Sequence, residues 1–235
     1  MCKKARYSIL LDTNVLVRLM VDLDCEQNLC ENLITRRLLC DCNLNANIIA
    51  PEDILKEVSK EVNRLIGRKG KYKKRVRKCR EAIEFCLLSY VRPVAVGGRY
   101  ARHKVSLQSH SNSMNKLKNN PIFKFIQEDY EDILGEVGDR VDQTLINTTI
   151  LQASKYKKAG DGRVVLLSMD RVLCEKVHVL ASKAQLTDYL VVPCLWMLKQ
   201  TSPTSPCIDA NYFIDCIRRC LNANCFMECL LGGPT

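Results

Sequence analysis

Four acids stand far apart in this chain, and two of them follow apolar runs. Asp12 follows the apolar run Ile9-Leu10-Leu11 and opens Asp12-Thr13-Asn14. Glu57 closes Pro51-Glu52-Asp53-Ile54-Leu55-Lys56-Glu57. Asp142 lies in Asp139-Arg140-Val141-Asp142, and Asp170 ends Val164-Val165-Leu166-Leu167-Ser168-Met169-Asp170. Gathered at one place, such carboxylates can hold divalent cations. Two Mg²⁺ or Mn²⁺ ions roughly 3.5–4 Å apart activate a water and stabilise the leaving oxygen of a phosphodiester. Magnesium takes oxygen ligands and keeps several waters, so a few carboxylates suffice. The short polar residues Asn14 and Ser168 are placed to orient a ligand or a water from behind. Taken singly, each acid has a plainer reading: Asp12 and Asp170 as helix caps, Glu57 and Asp142 as surface acids. Only convergence turns them into a site.

Convergence requires particular elements. Residues 6–11 read as a buried parallel strand. Val15, Leu16, Leu19 and Met20 then share one helix face. Residues 48–50 form a short second strand, with Pro51 in the first turn of a helix and Glu52 and Asp53 at its positive end. Ile54, Val58, Val62 and Leu65 are the apolar face of that helix. Helix over 82–88 and strand over 91–96 follow, and 97–120 is rich in Gly, Ser and Asn and is expected to be a mobile loop. Further helix is predicted over 122–134, a loop over 135–138, and a helix capped by Asp139. Gly160-Asp161-Gly162 is a turn, 164–167 is the clearest strand, 170–181 is helical, and 189–192 is a last strand. Alternating strand and helix point to a parallel α/β sheet with helices on both faces. Asp12 and Asp170 then lie just past the carboxyl ends of strands, where sites gather in open α/β sheets.

The 235 residues fit one domain with an elaboration. A formal charge of +10 favours nucleic acid or another anionic surface as partner. Residues 64–80 contain no acid. Within and beyond them, Lys69, Lys71, Lys73, Lys74, Arg75, Arg77, Lys78 and Arg80 surround Tyr72, and Arg99 and Arg102 flank Tyr100. Such cations give sequence-independent phosphate contacts, and the tyrosines offer faces for unpaired bases. A solvated helix face or a nuclear import signal is the plainer account. No apolar leader precedes Asp12 and no membrane helix is visible, so an intracellular protein is expected, nuclear in preference to cytoplasmic, neither secreted nor membrane-bound. The 14 cysteines then read as reduced, mostly core thiols. In the tail, Cys216, Cys220, Cys225 and Cys229 lack the Cys-x₂-Cys spacing of strong zinc sites, and the helix carrying them is better suited to packing, including against a protein partner.

The order and context of the four acids resemble the PIN domain family, whose members are mostly metal-dependent ribonucleases. Ile9-Leu10-Leu11-Asp12-Thr13-Asn14-Val15-Leu16 looks like the family's opening motif. The stretch from Ile49 to Glu57 is similar to the second, Asp142-Gln143-Thr144-Leu145-Ile146 to the third, and Val165 to Leu173 to the fourth, with Ser168 where threonine is usual. The resemblance implies Asp12, Glu57, Asp142 and Asp170 as catalytic and metal-ligating residues, with Asp139 as an auxiliary acid. It covers residues 6–193 and implies a three-layer α/β/α sandwich with a central, mainly parallel sheet. A basic insertion over 67–120 and a linker with a Cys-rich helical tail over 194–235 lie outside the family pattern. Among family members, the eukaryotic endonucleases of RNA surveillance and transcript quality control are most alike. The expected activity is Mg²⁺- or Mn²⁺-dependent endonucleolytic hydrolysis of single-stranded RNA. An idle PIN-like module that binds RNA or protein is the alternative. A structure-specific DNA nuclease ranks lower for want of a duplex clamp. A haloacid-dehalogenase-type phosphatase is disfavoured because no Asp stands two residues after Asp12.

Overall fold

Short apolar runs, too brief for helices, become the strands. The structure is a computed structural model, and it describes residues 6–15, 45–54, 56–58, 60, 63, 105–136 and 139–193. Strands β1 (Arg6–Leu11), β2 (Asn45–Pro51), β3 (Val105–Gln108), β4 (Arg163–Leu167) and β5 (Leu190–Val191) form one five-stranded sheet in the order β3-β2-β1-β4-β5. Every pairing is parallel. Helices α1 (His110–Lys118), α2 (Gln127–Glu136), α3 (Arg140–Ala159) and α4 (Arg171–Lys183) flank it. Residues 13–15 are helical, as are the described residues from 54 to 63. The chain is therefore α/β, with an arrangement compatible with a three-layer sandwich.

Burial shows why the central strands are unbroken apolar runs. In β1, Ile9, Leu10 and Leu11 are all buried, and in β4 so are Val164, Val165, Leu166 and Leu167. Neighbouring strand residues point to opposite faces, so both faces of the sheet centre are covered. Leu10, Ile49, Val164 and Leu166 join one core cluster with Leu145, Ile146 and Ile150 of α3 and with Leu173, Val177 and Leu180 of α4. Each such side chain contributes about 1.5–3 kcal/mol on burial. Two polar pairs lie inside this core: Tyr130 donates to Asn147 Oδ1 at 2.6 Å, and Ser8 and Tyr156 are hydrogen-bonded at 2.8 Å.

Helix α3 governs the placement of the site. It runs for 20 residues from the cap Asp139, whose Oδ1 accepts from Val141 N at 2.7 Å. It ends at Gly160, whose φ of 68° is left-handed. A Cβ at Gly160 would meet nothing within 4 Å, so replacement is a purely conformational cost. Gly160→Ala is expected to destabilise by about 1–2 kcal/mol, read as a lower urea midpoint with an unchanged slope.

Several expectations are corrected. Residues 105–118, read as loop, are strand β3 and helix α1. The Ser/Asn-rich run is the cap and the exposed face of that helix: Ser109 Oγ accepts from Asn112 N at 3.3 Å, while Ser113 and Leu117 turn inward. Pro51 ends β2 and does not open a helix, because Glu52 N donates to Gln108 O at 2.9 Å and prolongs the sheet. The helix begins at Ile54. The predicted helix over 122–134 is divided. Pro121–Phe125 is a 3₁₀ turn capped by Asn120, and Ile126 at φ −123° breaks it from α2. That helix continues through Gly135 to Glu136, so residues 135 and 136 of the predicted loop are helical. The last strand is two residues long because Tyr189 N is taken by Leu186 O in a 3₁₀ turn. The expected strand over 91–96, the helix over 82–88, and the tail lie outside the described residues.

Candidate active site at the carboxyl edge of the sheet

Parallel strands bring their carboxyl ends to one edge. The order β3-β2-β1-β4-β5 reverses between β1 and β4, and the crevice outside such a switch point is where open α/β sheets bind ligands. Asp12 is the first residue beyond β1, and Asp170 lies just beyond β4. The two strand ends stay locked: Asp12 N donates to Leu167 O at 3.0 Å.

Asp12 is 3 % exposed. Burial is the main reason its carboxyl titrates above the ordinary value, with Asp170 adding to the rise. Donors from both strand ends oppose that cost. Ser168 Oγ donates to Oδ2, Asn14 Nδ2 donates to the same oxygen at 2.6 Å, and Asn14 N approaches Oδ1 at 3.4 Å. The other end of the Asn14 carboxamide accepts from Met169 N at 2.9 Å. Asn14 therefore ties the loop after β1 to the loop after β4. Ser168 Oγ also accepts from Asp170 N at 2.9 Å, so one hydroxyl links both strand-end acids. Asp170 Oδ1 accepts from Leu173 N at 3.2 Å and caps α4. Beneath them Cys174 is buried, its thiol pushed up by burial and by nearby carboxylates.

Glu57 and Asp142 arrive on helices. Glu57 is half-buried on the helix after β2, and Thr13 Oγ1 donates to its Oε2 at 2.5 Å. Asp142 lies in the first turn of α3. Its carboxyl is raised from 3.8 to about 7, first by burial and then by the charges of Asp12, Glu57, Asp139 and Asp170. The four acids singled out from sequence, with Asp139, therefore share one electrostatic field. Asp139 and Asp170 also serve as helix caps, so the plain reading of Asp170 as a cap is correct as far as it goes. Thr13 was not singled out from sequence. The signal available was a small hydroxyl, wedged between two polar residues at a strand end, that becomes 2 % exposed.

Among the described residues no three acid, histidine or cysteine side chains are gathered tightly enough to enclose an ion as they stand. The arrangement is a negatively charged edge, and not a closed shell of the kind zinc favours. Carboxylate oxygens are the donors that a hard cation such as Mg²⁺ or Mn²⁺ prefers. Asp12, Glu57, Asp142 and Asp170 are the residues that would hold it. The basic residues considered for RNA contact, Lys69, Lys71, Tyr72, Lys73, Lys74, Arg75, Arg77, Lys78, Arg99 and Arg102, lie outside the described residues. So do the tail cysteines.

No family model and no curated protein matches the chain. Among the described residues no helix is long and apolar enough to cross a membrane.

Proposed function

We propose that the protein is a PIN-like, Mg²⁺- or Mn²⁺-dependent endoribonuclease that hydrolyses phosphodiester bonds of single-stranded RNA. The observation that carries this reading is Asp142. Its carboxyl is raised to about 7 by burial and by four other carboxylates at a switch-point edge. Such mutual repulsion weakens a fold, and groups perturbed in this way cluster at functional sites. A divalent cation held there would supply Lewis-acid activation of water and stabilisation of the leaving oxygen. The chain's own residues do the rest. Asp12, Glu57, Asp142 and Asp170 hold the charge that binds the cation, while Asn14 and Ser168 fix the Asp12 carboxylate in place. Asp139 adds negative charge from the cap of α3. Water attacks phosphorus in line and gives up a proton to solvent, a new P–O bond forms, the bond to the 3′ oxygen breaks, and that oxygen takes a proton from solvent. No covalent enzyme intermediate is required.

The polyanionic substrate class is supported by the +10 charge and by the acid-free run over 64–80. A role in RNA processing or quality control in the nucleus fits the family resemblance. The three-layer PIN-like fold, the basic insertion and the Cys-rich tail as a protein-docking extension belong to the same proposal. One observation favours the alternative of an idle RNA- or protein-binding module: Asp139 and Asp170 both spend side-chain oxygens on helix caps. The readings separate in one assay, with labelled unstructured RNA and DNA of the same sequence incubated with Mn²⁺, Mg²⁺ or EDTA. Internal cuts in RNA that vanish with EDTA are expected. Binding that survives EDTA, without cutting under any metal, would establish the idle module instead.

A further inference from the structure

Thr13 is the first helical residue beyond Asp12, the acid that follows β1, and it is 2 % exposed. Its hydroxyl donates to Glu57 Oε2 at 2.5 Å, across 44 positions of sequence. The bond joins the end of β1 to the helix that follows β2. A β-branched side chain has few χ1 choices, and burial leaves this donor little freedom to move between them. Glu57 is longer and adjusts through three torsions. It is also one of the charges that act on Asp142, alongside Asp12, Asp139 and Asp170. Repulsion among like carboxylates drives such a side chain toward solvent. A buried, stiff donor opposes that motion.

We infer that Thr13 is a positioning residue: by holding Glu57 within the field of Asp142 it sets how tightly the carboxylate cluster binds a divalent cation. The inference rests on the proposed function, since it gives that site one more determinant. It concerns binding, so it can be tested without turnover.

The test is calorimetric titration of the full chain with Mn²⁺, using wild type, Thr13→Val, Thr13→Ser, Glu57→Gln and the Thr13→Val/Glu57→Gln double variant. Valine keeps the shape and removes the donor, and serine keeps the donor. Thr13→Val is expected to weaken Mn²⁺ binding by about 10–100-fold, the usual effect of removing a hydrogen bond to a metal ligand. Thr13→Ser should bind close to wild type. On the Glu57→Gln background, whose amide oxygen still accepts the hydroxyl but carries no charge, Thr13→Val should cost clearly less than it does in wild type. Should Thr13→Val not fold, Thr13→Ala, which adds no bulk, takes its place in the same comparison. Wild-type affinity in a folded donor-less variant would overturn the inference and leave the proposed function standing. So would an undiminished further loss on the Glu57→Gln background. Wild-type protein that takes up no Mn²⁺ overturns the proposed function and this inference together.

Discussion

Asp12→Asn is expected to abolish metal-dependent RNA cleavage while leaving the fold intact. The amide has the shape of the carboxylate and can still accept from Ser168 and Asn14, but it carries no charge. A rate loss of at least about 10²–10³-fold follows, the size of effect that removing one preorganised electrostatic group has. Stability should be unchanged or higher, because burial of the Asp12 carboxylate is unfavourable to begin with. Cleavage assays beside thermal melts separate the two quantities. A folded Asp12→Asn protein that cuts as wild type does would remove Asp12 from the mechanism.

The second large effect runs in the opposite sense. Asp142→Asn should lose cleavage and gain stability in the metal-free protein at neutral pH. The unfolded carboxyl releases its proton near 3.8, whereas the folded one holds it to about 7. Between those values the native state binds more protons than the unfolded state, so stability falls as pH rises through that window. Below 3.8 there is no penalty, and above about 7 it is fully present. The displacement sets a ceiling of about 4 kcal/mol. Partial contact with solvent lowers the realised amount to the order of 1–2 kcal/mol. The Tm of metal-free Asp142→Asn at pH 8 should therefore exceed wild type by about 2–8 °C, and the gap should close near pH 4. Added Mn²⁺ should raise the wild-type Tm and not that of the variant. A variant less stable than wild type at pH 8 without metal would mean that Asp142 is not a strained member of the cluster.

Part of this site is written in the sequence, and part is not. Strand-end positions were legible for Asp12 and Asp170, because unbroken apolar runs such as Val164–Leu167 are long enough for a strand and too short for a helix. Caps were legible too: Asp139 stands ahead of an apolar pattern of period 3.6 and does cap α3. The third strand was not. Val105–Gln108 is short, and its neighbours Ser109, Ser111, Asn112 and Ser113 have a composition that suits a loop as well as it suits the cap and outer face of a helix. Pairing with β2 is what fixes that segment, and a partner on another strand leaves no local mark. The same limit hid Thr13. Its hydroxyl matters through Glu57, 44 positions away, and no spacing rule within one element reveals such a contact. Convergence of the acids was inferred from family likeness. Its geometric counterpart is the strand reversal between β1 and β4, which brings the first and last acid to neighbouring strand ends.

The central claim is that these carboxylates organise attack by water on RNA, and the ends of the cut products test it most directly. Wild-type protein and Asp12→Asn would be incubated with an unstructured RNA and Mn²⁺, and the new termini mapped by mass spectrometry. The account predicts 5′-phosphate and 3′-hydroxyl ends from wild type, none from Asp12→Asn, and none with EDTA. Products ending in 2′,3′-cyclic phosphate would mean that the RNA's own 2′-hydroxyl attacks, and cuts that persist in EDTA or in Asp12→Asn would mean that the carboxylate cluster does not run the reaction. Either result would contradict the account.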